Sequence, residues 1–128
     1  MPPISRREAR KSALTLFYQW DVTERAPGEL YDGEIDEYAQ RVSEAIVRDA
    51  AELDRRITEA AAESGWTADR LGAVERNILR IAIHELDAGE IPARVVIDEA
   101  VTLAKQYSTR EAGRLVNGIL DRIYKEAA

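Results

Sequence analysis

The residues best suited to a chemical role form a basic cluster near the start of the chain. Arg6, Arg7, Arg10 and Lys11 stand close together, and only Glu8 interrupts them with a negative charge. Arg6 and Arg10 are four positions apart and therefore share a helix face. Arg7 and Lys11 lie on the adjoining face. On the first turns of a helix such cations add to the positive dipole end, which attracts phosphate. The cluster predicts a small anion-binding patch that needs a second surface or a partner. An ordinary solvated helix surface is the alternative.

The rest of the chain offers little for catalysis. It has 128 residues, no cysteine and a single histidine, His84. These counts exclude a disulfide scaffold, a thiolate zinc site, a cysteine nucleophile and a two-histidine metal motif. Adjacent carboxylates such as Asp98 and Glu99 point about 100° apart on a helix, so they do not converge. The glycines are scattered and form no phosphate loop. We therefore predict no catalytic residue, no metal and no cofactor, and we interpret His84 as structural.

The net charge of −6 is unevenly distributed. Residues 1–20 carry four basic side chains and one acidic one, whereas residues 21–64 carry five basic and 13 acidic side chains. Such a chain has an acidic body and one basic end, which limits stray binding to nucleic acid. No apolar run reaches the roughly 18 residues of a membrane span, and no secretion signal follows the basic start. We expect a cytoplasmic protein.

Helices must position these groups, because no segment alternates apolar and polar residues as a strand does. About seven helical segments with short connections predict an all-α fold in one domain, residues 1–128. The first helix begins at Ser5, where Glu8 completes a capping box, and ends near Asp21. Asp49 and Glu52 form a second capping box, which favours a helix start inside residues 34–63. One continuous helix through that point stays open.

Glycines and further caps mark the helix ends in the second half. Gly65 ends the preceding helix, Thr67 caps a short turn, and Gly89 ends the strong helix that follows. Ser108 and Glu111 form a third capping box before the last helix. We expect close helix packing at Gly118. The expected core positions in the last three helices are Val74, Ile78, Ile81, Ala82, Leu86, Ile97, Ala100, Val101, Ala104, Ala112, Leu115 or Val116, Ile119 and Ile123.

Several motifs together resemble the bacterial NusB antitermination family. The first helix contains SRREARKSAL at residues 5–14 and FYQW at residues 17–20. The second half is more similar, with VERNILRIA at 74–82, IDEAVTLAK at 97–105 and LVNGILD at 115–121, in the family's order. Residues 22–66 match weakly, mainly in helical pattern. The resemblance implies an all-helical fold of two packed three-helix bundles.

The resemblance also implies a non-enzymatic role in transcription. Members of this family pair with NusE, a ribosomal protein, and bind the boxA segment of nascent RNA. The pair joins a complex on RNA polymerase that suppresses premature termination, notably in ribosomal RNA operons. Single-stranded RNA is recognised through phosphate contacts, stacking and base edges, which agrees with the lack of a catalytic site.

Site residues are carried over by matching positions. The implied RNA-binding residues are Arg6, Arg7, Arg10, Lys11, Glu111, Arg114 and Leu115, and the implied NusE-facing residues are Tyr18 and Glu75. Two positions depart from the family pattern: Glu8 interrupts the arginine run, and Leu115 stands where an aromatic residue is common. The first departure should lower nonspecific RNA affinity, and the second removes a stacking contact.

Two other functions are weaker hypotheses. Some ribosomal RNA cytosine methyltransferases carry a similar amino-terminal domain, but we expect no α/β cofactor domain here and find no cysteine nucleophile. A purely structural helical adaptor has the same fold, so the fold does not exclude it. Whether the protein is a monomer or a homodimer is left open.

Overall fold

The computed structural model describes residues 37–65 and 71–127, and among them the side chains of residues 41–65 and 71–125. The described part contains four α-helices: α1 (Glu37–Glu63), α2 (Ala73–Ala88), α3 (Ala93–Tyr107) and α4 (Arg110–Ala127). The described residues include no strand, which confirms the predicted all-α class. None of these four helices has the length and hydrophobicity that a membrane span requires. The predicted first helix and the turn at Thr67 lie outside the described residues.

Helix α1 runs unbroken for 27 residues, so the capping box predicted inside it is wrong. The Asp49 carboxylate accepts hydrogen bonds from Arg48 Nε and Nη2 at 3.2 and 3.3 Å. Glu52 accepts one from Arg55 Nε at 2.9 Å. These hydrogen bonds hold the pKa of both carboxyl groups below their ordinary values. The helix continues because buried Ile46 and Ile57 belong to one apolar stripe that keeps its phase across the expected break.

Two predicted glycine stops are confirmed. Gly65 follows α1 with a φ of 83°, and Gly89 follows α2 with a φ of 69°. Both values lie in the left-handed region, where a residue with a Cβ is strained and glycine is not. The Gly89 N–H donates to the Glu85 carbonyl oxygen at 3.2 Å, which satisfies one of the last carbonyls of α2.

The cap of α4 lies one residue later than predicted. Thr109 Oγ1 accepts a hydrogen bond from the Ala112 N–H at 3.0 Å, as an N-cap side chain does. The Ser108 hydroxyl instead donates to Glu75 Oε1, at the start of α2. The capping box of Ser108 and Glu111 is therefore wrong. Both Ser108 and Thr109 are residue types suited to capping, and the contact with α2 determines which of them does so.

The core forms where α2 packs against the other three helices, and α3 packs closely along α4. Leu115 and Val116, which the sequence presented as alternatives, are both buried. The largest fully buried apolar side chains of the core are Ile46, Ile57, Ile78, Leu79, Ile83, Ile119 and Leu120. All the core positions expected in the last three helices are buried or packed against this cluster, but Leu79, Ile83, Val96, Leu103 and Leu120 were not predicted.

Ion pairs between α1 and α2 fix the register of these two helices. Arg80 is 3% exposed and reaches Asp54 with Nε and Nη2 at 2.8 and 2.7 Å. Arg80 Nη1 also donates to Asn77 Oδ1 at 2.9 Å. Nearer the surface, Arg56 Nη1 lies 2.7 Å from Asp87 Oδ2. A buried guanidinium that donates to a carboxylate on the next helix restricts both rotation and sliding of α2.

The glycine that permits close packing in α4 is Gly113, not Gly118. A Cβ added at Gly118 would meet nothing within 4 Å, so the expectation of close packing there is wrong. A Cβ at Gly113 would lie 2.8 Å from Lys105 Cγ. The absence of a side chain at Gly113 therefore lets the Lys105 stem lie directly on α4.

Candidate nucleic-acid and partner interface

The predicted interface residues fall into two groups. Arg6, Arg7, Arg10, Lys11 and Tyr18 lie outside the described residues, so their roles stay predictions. The remaining candidates are Glu75 on α2 and Glu111, Arg114 and Leu115 on α4. All four lie near the turn between α3 and α4, and the geometry of this turn is considered first.

Three cations surround the turn, on Lys105, Arg110 and Arg114. Each is exposed, and none forms an ion pair with a carboxylate of residues 41–65 or 71–125. The two arginines are four positions apart and share a face of α4. The stem of Lys105 lies over Gly113, three positions after Arg110 on α4. The three positive charges therefore lie around the same turn, which we call the cationic turn.

Several other described cations contrast with the cationic turn because a carboxylate already balances their charge. Arg55 donates to Glu52 and Glu59, and Lys125 Nζ lies 2.9 Å from Asp121 Oδ2. An arginine that is already paired gains less from a phosphate than an unpaired one, since the existing contact must first be broken. The cationic turn thus has the electrostatic character that phosphate binding requires.

Glu111 places one negative charge inside the cationic turn. Its side chain is exposed in the first turn of α4, where the helix dipole favours a carboxylate. It stands three positions before Arg114 and so adjoins that side chain on the surface of α4. A carboxylate in this place lowers the attraction for phosphate without abolishing it. By the family resemblance Glu111 tunes RNA affinity in this way, and this role stays a prediction.

Leu115 lies in the core and is 6% exposed. It belongs to the buried stripe of α4 together with Ala112 and Ile119, at the spacing of one helix face. Its side chain therefore offers almost no surface on which a base could stack. The burial gives no support to an RNA contact by Leu115, whereas its exposed neighbour Arg114 keeps the surface that such a contact needs.

Glu75 is hydrogen-bonded to the turn between α3 and α4. It lies in the first turn of α2, half-buried, and its Oε1 accepts the hydrogen bond from the Ser108 hydroxyl. Gly72 makes room for this carboxylate, because a Cβ there would lie 2.7 Å from Glu75 Oε2. The predicted partner residue thus contacts the turn that leads into α4, which carries Glu111 and Arg114. Sequence reasoning assigned Ser108 to a cap and missed this contact between residues 33 positions apart.

Sequence reasoning also missed Lys105 and Arg110. Arg110 was detectable, because it stands four positions before Arg114 on a predicted helix. Lys105 was not, because only the packing of α3 on Gly113 brings it to α4. His84 is half-buried on α2. Within residues 37–65 and 71–127, no group of three or more histidines and carboxylates could hold a metal ion.

Comparisons with known proteins find relatives that match nearly the whole chain. A family model described as the NusB family matches residues 7–125. The transcription antitermination protein NusB of Solibacter usitatus is 39% identical over 133 residues, covering 95% of this chain and 90% of that protein. The solved structure of T. maritima NusB has a TM-score of 0.84 and 33% identity, covering 98% of this chain and 94% of that one.

A second solved structure contains the antitermination factors NusB and NusE in complex with double-stranded RNA. Its matching chain has a TM-score of 0.81 and 34% identity, and the match covers 94% of this chain and 96% of that one. The family model spans nearly the whole sequence, and relatives at this identity match over nearly their full length. The resemblance drawn from the sequence motifs is therefore confirmed: the chain belongs to the NusB family of transcription antitermination proteins.

Proposed function

We propose that this chain is an antitermination factor that binds a boxA-type single-stranded RNA together with a NusE partner. The pair joins the RNA polymerase antitermination complex in the cytoplasm, notably during transcription of ribosomal RNA. The observation that carries this proposal is the similarity, over nearly the full length, to a chain of a complex that contains NusB, NusE and double-stranded RNA. The cationic turn supports it independently, because its unpaired charges suit phosphate.

RNA binding in this proposal uses two basic surfaces. Arg110 and Arg114, with Lys105, contact phosphates at the cationic turn, and the basic cluster of residues 6–11 supplies further phosphate contacts. Neither surface holds enough cations for tight binding alone, so affinity depends on both and on the NusE partner. Glu111 limits the affinity for unrelated RNA.

Salt dependence of binding tests the RNA surface. The logarithm of the affinity for single-stranded RNA falls with the logarithm of salt concentration, with a slope of roughly −0.7 for each phosphate contact. The double variants Arg6→Ala with Arg10→Ala, and Arg110→Gln with Arg114→Gln, should each make the slope shallower by up to about 1.4. Arg55→Gln, which removes an already paired cation on α1, is the control and should leave the slope unchanged. Unchanged slopes in both double variants would refute the assignment.

Glu111→Gln tests the tuning role. The substitution removes a negative charge from the cationic turn and keeps the size of the side chain. Binding to the boxA-type RNA should become modestly tighter, measured by fluorescence anisotropy at fixed salt. Weaker binding by a variant of unchanged thermal stability would contradict the role assigned to Glu111.

Tyr18 and Glu75 belong to the NusE-facing surface in this proposal. Tyr18→Asp and Glu75→Lys should weaken association with NusE, measured by calorimetry, and should change RNA binding by the isolated protein much less. Glu75→Gln is the matched control, because an amide oxygen can still accept the hydrogen bond of Ser108. If NusE binding survives Tyr18→Asp and Glu75→Lys while RNA binding falls, the assignment of one surface to NusE and the other to RNA is reversed.

A further inference from the structure

A groove separates the start of α3 from the end of α4, at the opposite end of this helix pair from the cationic turn. Its volume is about 380 Å³, within the roughly 300–1,000 Å³ range of small-molecule pockets. The side chains that give it chemical character are Arg94, Ile97, Asp98, Asn117, Asp121 and Tyr124. No residue of the groove is among the site residues implied by the family resemblance.

The groove combines the groups that a nucleotide requires. Tyr124 is 48% exposed, so its ring is available to a base, and aromatic rings are the usual stacking platforms for single-stranded RNA. The Asn117 amide can both donate to and accept from a base edge, and the Asp98 carboxylate can accept from an exocyclic amino group. Arg94 forms no ion pair with a carboxylate among the described residues, so its charge is available to a phosphate.

The remaining carboxylate does not oppose a nucleotide strongly. Asp121 Oδ2 lies 2.9 Å from Lys125 Nζ, so a neighbouring ammonium balances its charge. Ile97 adds an apolar side chain that is partly buried against the core. The groove is thus mixed in polarity, with a ring, an amide and a cation at its wall, and it differs from an apolar peptide-binding groove.

One stripe of α4 connects the groove to the cationic turn. Arg110, Arg114, Asn117, Asp121 and Tyr124 follow one another at steps of four, three, four and three residues, which is the repeat of a single helix face. The ten residues from Arg114 to Tyr124 span about 15 Å along the helix, roughly four nucleotides at stacked spacing. An RNA strand that leaves the cationic turn along this face of α4 reaches the groove.

We propose that the groove holds one nucleotide of the same RNA, outside the segment bound at the cationic turn. The base stacks on Tyr124, Asn117 and Asp98 contact its edge, and Arg94 contacts a phosphate. This inference rests on the proposed RNA-binding function and deepens it, because it adds a subsite that lengthens the bound RNA. A protein segment in the groove is the competing occupant, and the continuity of the α4 stripe with the cationic turn favours RNA.

The test compares two RNAs in the presence of the NusE partner. One is a boxA-type core oligonucleotide, and the other carries six additional unstructured nucleotides on each side. The wild-type protein should bind the longer RNA more tightly. Tyr124→Ala should weaken binding of the longer RNA by about fivefold or more, the usual effect of removing one stacking ring, and leave the core RNA unaffected. Tyr124→Phe should retain the wild-type preference, because the ring remains.

Tyr107→Ala is the matched control. Tyr107 is 46% exposed, nearly the same as Tyr124, but it is the last residue of α3, at the end of the helix pair that lies away from the groove. The Tyr107→Ala variant should keep the wild-type preference for the longer RNA. Circular dichroism of each variant checks that the helices are retained.

The outcomes separate the two proposals. If the wild type binds the core RNA and the added nucleotides contribute nothing, the groove proposal is overturned and the proposed function stands. The groove proposal is also overturned if Tyr124→Ala and Tyr107→Ala weaken both RNAs equally, or if Tyr124→Ala weakens only NusE association. If the wild type binds neither RNA with NusE present, the proposed function itself fails.

Discussion

The carboxylate of Asp54 holds α2 against α1, and its removal should destabilise the protein more than the removal of any exposed carboxylate. The Arg80 side chain is 4% exposed, whereas that of Asp54 is 39% exposed. Asp54 accepts two charge-assisted hydrogen bonds from Arg80, at 2.8 and 2.7 Å. In Asp54→Ala the guanidinium loses both of these bonds while it remains buried.

The magnitude follows from the burial of the two partners. Removing one partner of a fully buried ion pair costs about 3–5 kcal/mol. Asp54 is partly solvated, so water can approach the vacated site, and the expected loss is lower, about 2–3 kcal/mol. For a chain of this length, that loss corresponds to a fall in Tm of roughly 6–12 °C.

Chemical denaturation followed by circular dichroism measures this loss, and Asp87→Ala is the matched control. Asp87 also joins α2 to α1, through Arg56, but its side chain is 52% exposed. Its removal should cost no more than about 1 kcal/mol. The double variant Asp54→Ala with Arg80→Met should recover part of the lost stability, because the buried guanidinium is then removed as well. The reasoning is refuted if Asp54→Ala costs no more than Asp87→Ala, or if the double variant is less stable than Asp54→Ala alone.

Three further predictions concern helix ends and helix surfaces. Gly118→Ala should raise the free energy of unfolding by about 0.5–1 kcal/mol, because alanine favours a helix and the site is open; Gly113→Ala should gain less, since its Cβ would displace a lysine stem. Thr109→Ala should lower the free energy of unfolding by about 1 kcal/mol through loss of the α4 cap, whereas Ser108→Ala should leave that cap intact. Equal protection of the first α4 amides from hydrogen exchange in the two variants would contradict this assignment. The hydrogen bond from the Arg55 guanidinium lowers the pKa of Glu52, so the ionised carboxylate stabilises the protein at neutral pH. This stabilisation is lost as pH falls through the lowered pKa. The stability difference between wild type and Glu52→Gln, measured by urea denaturation, should therefore vanish at low pH.

The sequence by itself determined the features that depend on local chain geometry. The 3.6-residue repeat of apolar side chains predicted the helical class and most of the core, because one helix face must be buried wherever that repeat occurs. Gly65 and Gly89 were identifiable as stops because the left-handed conformation after a helix strongly favours glycine. The motifs at residues 5–20 and 74–121 were sufficient for the family, which the matches over nearly the whole chain confirm.

Tertiary structure decided every feature that depends on which side chains meet across helices. Capping preferences are local and similar for Ser108 and Thr109, so only the packing of α2 on the turn assigns Ser108 to Glu75 and leaves the cap to Thr109. Likewise, Arg80 and Asp54 are separated by 26 residues, and the cationic turn assembles only because the stem of Lys105 lies on α4. The helical repeat specifies the buried face of each helix, but the rotation and register between helices depend on the shapes of the packed side chains.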